Sequence, residues 1–105
     1  WNGLGSTKCV IDGLLERQSR NYMFITIDLY PCMYDEAMSN LRPYLNDRII
    51  LINGKIIEYE DMFWFNHDAI KKDEHYKLHF NNDMNLIKTA INIIGRMPDK
   101  IDLCI

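Results

Sequence analysis

Hydrophobic and polar residues alternate most regularly over residues 22–30. Successive side chains of a β-strand point to opposite faces, so one face of this segment would be aliphatic, made of Met23, Ile25, Ile27 and Leu29. The other face mixes aromatic and polar side chains, namely Tyr22, Phe24, Thr26, Asp28 and Tyr30. The pattern predicts a strand, closed by Pro31, whose second face is covered by a helix or used for binding.

Two dipeptides that are typical of tight turns separate other apolar segments. Asp12-Gly13 follows the apolar residues 9–11, and Asn53-Gly54 follows the continuous run Ile49-Ile50-Leu51-Ile52. Because both dipeptides tolerate the left-handed backbone of a two-residue loop, each predicts an antiparallel hairpin. The second hairpin would pair residues 48–52 with residues 55–59.

The second half of the chain predicts a mixture of strands and one long helix. Strands are expected over residues 76–80 and 101–105, whereas residues 62–65 fit either a strand or a loop. The helix would begin at Asn82 or Asp83 as N-cap and end before Gly95. Its apolar stripe would consist of Ile87, Ala90, Ile91 and Ile94.

A short helix over residues 34–41, ended by Pro43, completes the prediction. Together these elements predict an α+β fold with a small, mostly antiparallel or mixed sheet built from hairpins, one long C-terminal helix and one short helix. The length of 105 residues favours a single domain over residues 1–105. The chain begins at Trp1 and not at a methionine, which favours a segment excised from a longer polypeptide.

Composition excludes several classes of protein. Apolar residues make up 48% and charged residues 26% of the chain, which is typical of globular proteins. The net charge of −3 is spread along the chain without a basic tract, so we expect no long nucleic-acid groove. No apolar run reaches the length of a membrane span, and no signal peptide is apparent. The three cysteines form no CxxC pair, which favours a reducing, cytoplasmic compartment.

Motifs for catalysis are incomplete. No serine lies in a GxSxG elbow, and Gly3-Leu4-Gly5 lacks the third glycine and the following helix of a phosphate-binding loop. His75 and His79 are four residues apart with His67 nearby, but the HExxH glutamate is missing. The preferred interpretation is therefore a non-catalytic chain without cofactor or metal. A metal-dependent hydrolase that uses the three histidines is the least favoured alternative.

Aromatic and acidic residues are interleaved in two segments, residues 22–30 and 58–65. Aromatic rings stack on nucleobases, and a carboxylate can accept hydrogen bonds from the N–H groups of guanine. A methylated, cationic guanine would add cation–π attraction. The same aromatic residues also fit a hydrophobic core or a surface that docks a protein partner, so three interpretations remain open.

The opening Trp1-Asn2-Gly3-Leu4-Gly5 resembles the start of the cap-binding domains in the L polymerases of segmented negative-strand RNA viruses. The resemblance implies a recognition module of a viral RNA polymerase in the host cytoplasm, binding capped RNA or a guanine nucleotide between two aromatic rings. The alternative function is a protein-interaction or scaffolding domain of a larger protein. The candidate ligand-binding residues are Trp1, Tyr22, Phe24, Asp28, Glu58, Glu60 and Trp64.

Overall fold

The structure is a computed structural model that describes residues 2–64 and 72–102, with only the backbone described at residues 63 and 64. The chain divides into two compact units, Trp1–Gly54 and Lys55–Ile105. No helix within the described residues is long and apolar enough to cross a membrane.

The first unit is a strand–helix–strand arrangement preceded by a helix. Its elements are helix α1 (Ser6–Glu16), strand β1 (Phe24–Asp28), helix α2 (Pro31–Leu41) and strand β2 (Ile49–Asn53), with a 3-10 turn at Arg42–Tyr44. β1 and β2 pair in parallel, from Phe24 opposite Ile49 to Asp28 opposite Asn53. Parallel neighbours need a long crossover connection, and α2 provides it.

The α+β prediction is confirmed in its coarse form, since helices are combined with a small sheet. The antiparallel or mixed arrangement is wrong because the two strands run parallel. Asn53-Gly54 forms no hairpin, and residues 55–59 form no strand. Gly54 instead donates its N–H to the carbonyl of Asp28, 3.0 Å away, so it extends the long-range pairing with β1. The apolar run of β2 therefore reflects a parallel strand with one buried face, formed by Ile49 and Leu51, and one half-buried face, formed by Ile50 and Ile52.

The hairpin predicted at Asp12-Gly13 is also wrong, because both residues lie within α1. The helical period explains this outcome. Thr7 and Ile11, four residues apart, form the buried side of α1, and the half-buried Leu14 continues it. The side chains of Lys8 and Asp12 pair across one turn on the exposed side. These contacts outweigh the cost of a helical glycine, which is about 1 kcal/mol.

The core of the first unit is a cluster of three fully buried side chains, Ile11 of α1, Leu41 of α2 and Ile49 of β2. Four half-buried residues pack against it: Tyr22, Phe24, Tyr44 and Leu45. The short helix predicted over residues 34–41 is present, and it begins three residues earlier at Pro31. Proline suits this first helical position because it has no backbone N–H, and an N–H here would have no partner in the helix.

The second unit is organised around helix α3 (Glu74–Thr89), with 3-10 turns at Glu60–Trp64 and Ile94–Arg96. Asp73 is the N-cap, and its Oδ1 accepts a hydrogen bond from the N–H of His75 at 2.8 Å. The strand predicted over residues 76–80 is wrong, since these residues lie in α3. The long C-terminal helix is present, but both of its ends differ from the prediction. Its N-cap is Asp73 and not Asn82 or Asp83, and it ends at Thr89, several residues before Gly95.

Two predictions concern segments that are described only in part. Residues 62–64, predicted as strand or loop, belong to the 3-10 turn at Glu60–Trp64, whereas residue 65 lies outside the described residues. Residues 101 and 102 of the predicted last strand have no strand structure, and residues 103–105 lie outside the described residues.

Candidate functional site

The hydrogen bonds of the β1–β2 ladder determine which backbone groups face away from the sheet. Phe24 donates its N–H to the carbonyl of Arg48 at 2.7 Å, and Gly54 donates to the carbonyl of Asp28 at 3.0 Å. In a parallel ladder every second residue of a strand bonds to the neighbouring strand. Phe24, Thr26 and Asp28 therefore direct their backbone groups toward β2. The backbone groups of Ile25 and Ile27 point to the free edge of β1.

The free edge of β2 is partly covered by the loop that precedes it. Asn46 donates its N–H to the carbonyl of Ile49 at 3.2 Å, and its side-chain Oδ1 accepts the N–H of Ile49 at 3.1 Å. The same Oδ1 accepts the N–H of Arg48 at 2.8 Å. Asn46 thus occupies the position where an additional strand would begin to pair with β2.

The free edge of β1 has no comparable cover. Within residues 2–64 and 72–102 the backbone groups of Ile25 and Ile27 receive no hydrogen bond from outside the ladder. Both side chains are half-buried, and Met23, directly before the strand, is 59% exposed. β1 contains no proline or lysine, the residues that often protect strand edges from pairing. Among the described residues, nothing pairs with this edge of β1 in the way that a further strand would.

Asp28 ends β1 and is held in place by local hydrogen bonds. Its Oδ1 accepts the N–H of Tyr30 at 2.8 Å, and its carbonyl accepts from Nδ2 of Asn53 at 2.8 Å. Its second carboxylate oxygen, Oδ2, makes no hydrogen bond to the described residues. Ligands of open parallel sheets bind outside the carboxyl ends of the strands, which is the position of Asp28.

The predicted stacking residues Tyr22 and Phe24 lie at the other end of β1. Both rings pack against the Ile11–Leu41–Ile49 cluster, and the Arg48 guanidinium carbon lies 5.7 Å from the centre of the Tyr22 ring. Phe24 and Asp28 are separated by four residues of strand, or about 13 Å. The structure thus brings Tyr22 and Phe24 together but keeps both apart from Asp28.

The predicted residues of the second unit have separate surroundings. Glu58 accepts hydrogen bonds from the Asn92 amide and the Lys55 ammonium, the latter at 2.9 Å, and both contacts lower the pKa of its carboxyl group. Lys55 also donates to the carbonyl of Ile87, 2.8 Å away in the last turn of α3. Glu58 therefore contributes to the structure of this unit.

The remaining three predicted ligand-binding residues are Glu60, Trp64 and Trp1. Glu60 is exposed at the start of its 3-10 turn. Trp64 ends that turn, with its side chain outside the described atoms, and Trp1 lies outside the described residues.

The glycine-containing segment at the start of the chain is followed by a helix, contrary to the sequence-based argument against a phosphate-binding loop. However, a Cβ built on Gly3 would meet Leu41 and Ala37, in the C-terminal half of α2. Nδ2 of Asn40 donates to the carbonyl of Asn2 at 2.9 Å. Asp28 precedes the opposite end of α2, and a helix of this length spans about 16 Å. Gly3 and Asp28 therefore belong to different ends of the unit.

No protein-family model, curated protein or solved structure matches this chain. Sequence reasoning identified β1 as a strand but missed its free edge, because the edge follows from the parallel partner and the hydrogen-bond register. The β-branched run of β2 was the available signal, since runs of this kind are typical of parallel strands.

Proposed function

We propose that the first unit is a protein-interaction module that binds an extended segment of a partner protein along the free edge of β1. The observation that carries this proposal is that the backbone groups of Ile25 and Ile27 have no hydrogen-bond partner among the described residues, on a strand without proline or lysine. Strand addition of this kind obtains affinity from main-chain hydrogen bonds and specificity from alternate side chains.

The expected partner segment has a defined chemistry. A strand added to β1 places alternate side chains on the two faces of the sheet, and Ile25 and Ile27 make one of these faces aliphatic. Cross-strand pairs of β-branched and aromatic residues stabilise such an arrangement. We therefore expect a partner segment in which β-branched or aromatic residues alternate and which contains no proline. Such a segment can form main-chain hydrogen bonds with Ile25 and Ile27 and also pack against their side chains.

The test uses amide NMR with a synthetic peptide of residues 23–29 as the probe strand. In the free chain we expect the amides of Ile25 and Ile27 to exchange rapidly with solvent, because neither donates a hydrogen bond to any of the described residues. The amide of Ile50, which faces β1, should exchange slowly. Addition of the peptide should slow exchange at Ile25 and Ile27 and leave Ile50 unchanged.

The control is the same peptide with Ile25→Pro, which removes a backbone donor and should weaken binding. Slow exchange at Ile25 and Ile27 in the free chain at every concentration would mean that the edge is already covered, and the proposal would be wrong. If exchange at Ile25 and Ile27 slows as the protein concentration rises, the strand that binds this edge belongs to a second copy of the chain and not to a different partner protein. An unchanged spectrum at millimolar peptide would also overturn the proposal.

A second candidate function is recognition of a methylated guanine nucleotide, the ligand implied by the resemblance to viral cap-binding domains. The position of Asp28 favours it, because an uncommitted carboxylate oxygen at the carboxyl end of a parallel strand is suited to the N–H groups of guanine. Stacking would then depend on rings near this end of the strand, and Tyr30 is the nearest in sequence.

Titration with a methylated guanine nucleotide, followed by amide NMR, distinguishes this second function from the first. We expect shifts at residues 28–31 and a loss of affinity of about tenfold in Asp28→Asn, since hydrogen bonds to charged groups contribute about 1.5–3 kcal/mol. Asp47→Asn, an exposed carboxylate in the loop before β2, is the matched control. Equal affinity of the two variants, or shifts confined to residues 22–24, would exclude Asp28 as the guanine-binding group.

A further inference from the structure

The exposed surface of α3 carries two histidines whose ring nitrogens converge. His75 and His79 are one helical turn apart, and both side chains are exposed. Their Nε2 atoms lie 3.1 Å from each other, and the ring centres are 4.4 Å apart at an angle of 80°. One imidazole donates a hydrogen bond to the other in this arrangement, so the two Nε2 atoms face each other on one side of the helix.

The spacing of the two nitrogens fits a shared metal ion. A metal bonded to both at 2.0–2.1 Å would subtend an N–metal–N angle of about 95–102°, between octahedral and tetrahedral values. Imidazole nitrogen is a preferred ligand of Zn²⁺, Ni²⁺ and Cu²⁺, whereas Mg²⁺ and Ca²⁺ prefer oxygen. The helix holds the rings in position before the metal arrives.

We propose that His75 and His79 form a chelating site for a divalent transition metal, with Cu²⁺ bound more tightly than Zn²⁺. Two nitrogen–metal bonds form in place of two metal–water bonds, the two waters leave, and the His75–His79 hydrogen bond breaks. The proton of the donating Nε2 moves to Nδ1 of the same ring, so each ligand remains a neutral imidazole. No group of three or more metal-binding side chains occurs among the described residues. Water or a group from another molecule occupies the other coordination positions of the metal, and these ligands can exchange with solvent.

The local surroundings are compatible with access by a metal. The Tyr76 ring contacts His75 edge-on, with the centres 6.4 Å apart, and Asp73 is engaged in capping α3. Lys77 lies between the two histidines in sequence and is 3.6 Å from the Glu74 carboxylate. Residues two apart on a helix do not share a face, so Lys77 does not cover the two nitrogens.

The test is titration of the full chain with CuCl₂ and ZnCl₂ by calorimetry, with MgCl₂ as the hard-cation control. We expect one Cu²⁺ per chain and a loss of affinity of about tenfold or more in His75→Ala and in His79→Ala. Losses of 10–100-fold are typical even when an outer-shell partner of a metal is removed.

The matched control is the double variant Lys77→His/His79→Lys, which keeps the composition but places the histidines two residues apart. Loss of binding in this variant supports the chelate, because only the spacing has changed. Affinity equal to that of the original chain would overturn the proposal, as would binding that is unaffected by either alanine variant. Circular dichroism should show unchanged helix content, since all the substituted side chains are exposed.

Discussion

Ile11→Ala is expected to lower the free energy of unfolding of the first unit by about 2–5 kcal/mol, the range for aliphatic residues truncated to alanine in protein cores. Ile11 is fully buried, and it packs with Leu41 and Ile49, which belong to two other elements. The cavity left by the truncation is lined by a helix and a strand that cannot close over it without losing their own contacts. A loss of this size is a large fraction of the stability of a typical small domain.

Urea denaturation followed by circular dichroism would measure this loss, with Leu15→Ala as the control on the same helix. Leu15 is 47% exposed, so its truncation should change the free energy of unfolding by about 0.5 kcal/mol or less. Similar losses in the two variants would contradict the packing described for α1. Amide exchange at residues 49–53 would show whether the effect reaches the sheet.

Gly3→Ala is expected to destabilise the first unit by about 2–4 kcal/mol, from backbone strain and overpacking together. Gly3 has a φ of +79°, which a residue with a Cβ rarely adopts. An added Cβ would lie 2.7 Å from Cδ1 and 2.9 Å from Cγ of Leu41, and 3.2 Å from the Cβ of Ala37. Leu41 is fully buried and has little space to move away, so relaxation would disturb the core cluster.

Gly13→Ala, in the same unit, is expected to raise the free energy of unfolding, whereas Gly3→Ala is expected to lower it. A Cβ at Gly13 meets nothing within 4 Å, and the residue lies in the interior of α1. The substitution should stabilise the unit by about 0.5–1 kcal/mol because alanine loses less entropy in a helix. Thermal unfolding of the two variants should therefore shift in opposite directions. A shift in the same direction would show that Gly3 is not held against α2.

The sequence predicted elements with strong local signals and failed where a distant partner decided the outcome. The alternation over residues 22–30 identified β1, and Pro31 and Pro43 framed α2. Asp12-Gly13 was misleading because the cost of a glycine in a helix, about 1 kcal/mol, is smaller than the gain from burying a whole side chain such as Ile11, about 1.5–3 kcal/mol. Asn53-Gly54 was misleading because β2 pairs with β1 and not with residues 55–59. The stripe of Thr7, Ile11 and Leu14 surrounds Asp12-Gly13 and is a local helical signal that competes with the turn signal. The pairing of β1 with β2, in contrast, joins segments 25 residues apart and is not local to Asn53-Gly54.

The candidate sites also combine features that a local sequence pattern predicts with features that depend on residues distant in sequence. The spacing of His75 and His79 was evident from the sequence, but the convergence of their nitrogens required the helix that replaced a predicted strand. The acidic residue Glu58 was selected as a base-reading group, although its partners Lys55 and Asn92 hold it within the second unit. Asn92 is 34 residues away, and no local pattern indicates such a contact.

The parallel register of β1 and β2 also determines when the strands can meet during synthesis. Every pair in the register joins residues that are 25 positions apart, as in Asp28 and Asn53. Ribosomes add about 5–20 residues per second, so β1 waits about 1–5 s for its partner strand. During this interval both edges of a β-branched segment are exposed in the nascent chain. Chaperones that recognise extended apolar segments would encounter β1 at this stage, before α2 and β2 cover it.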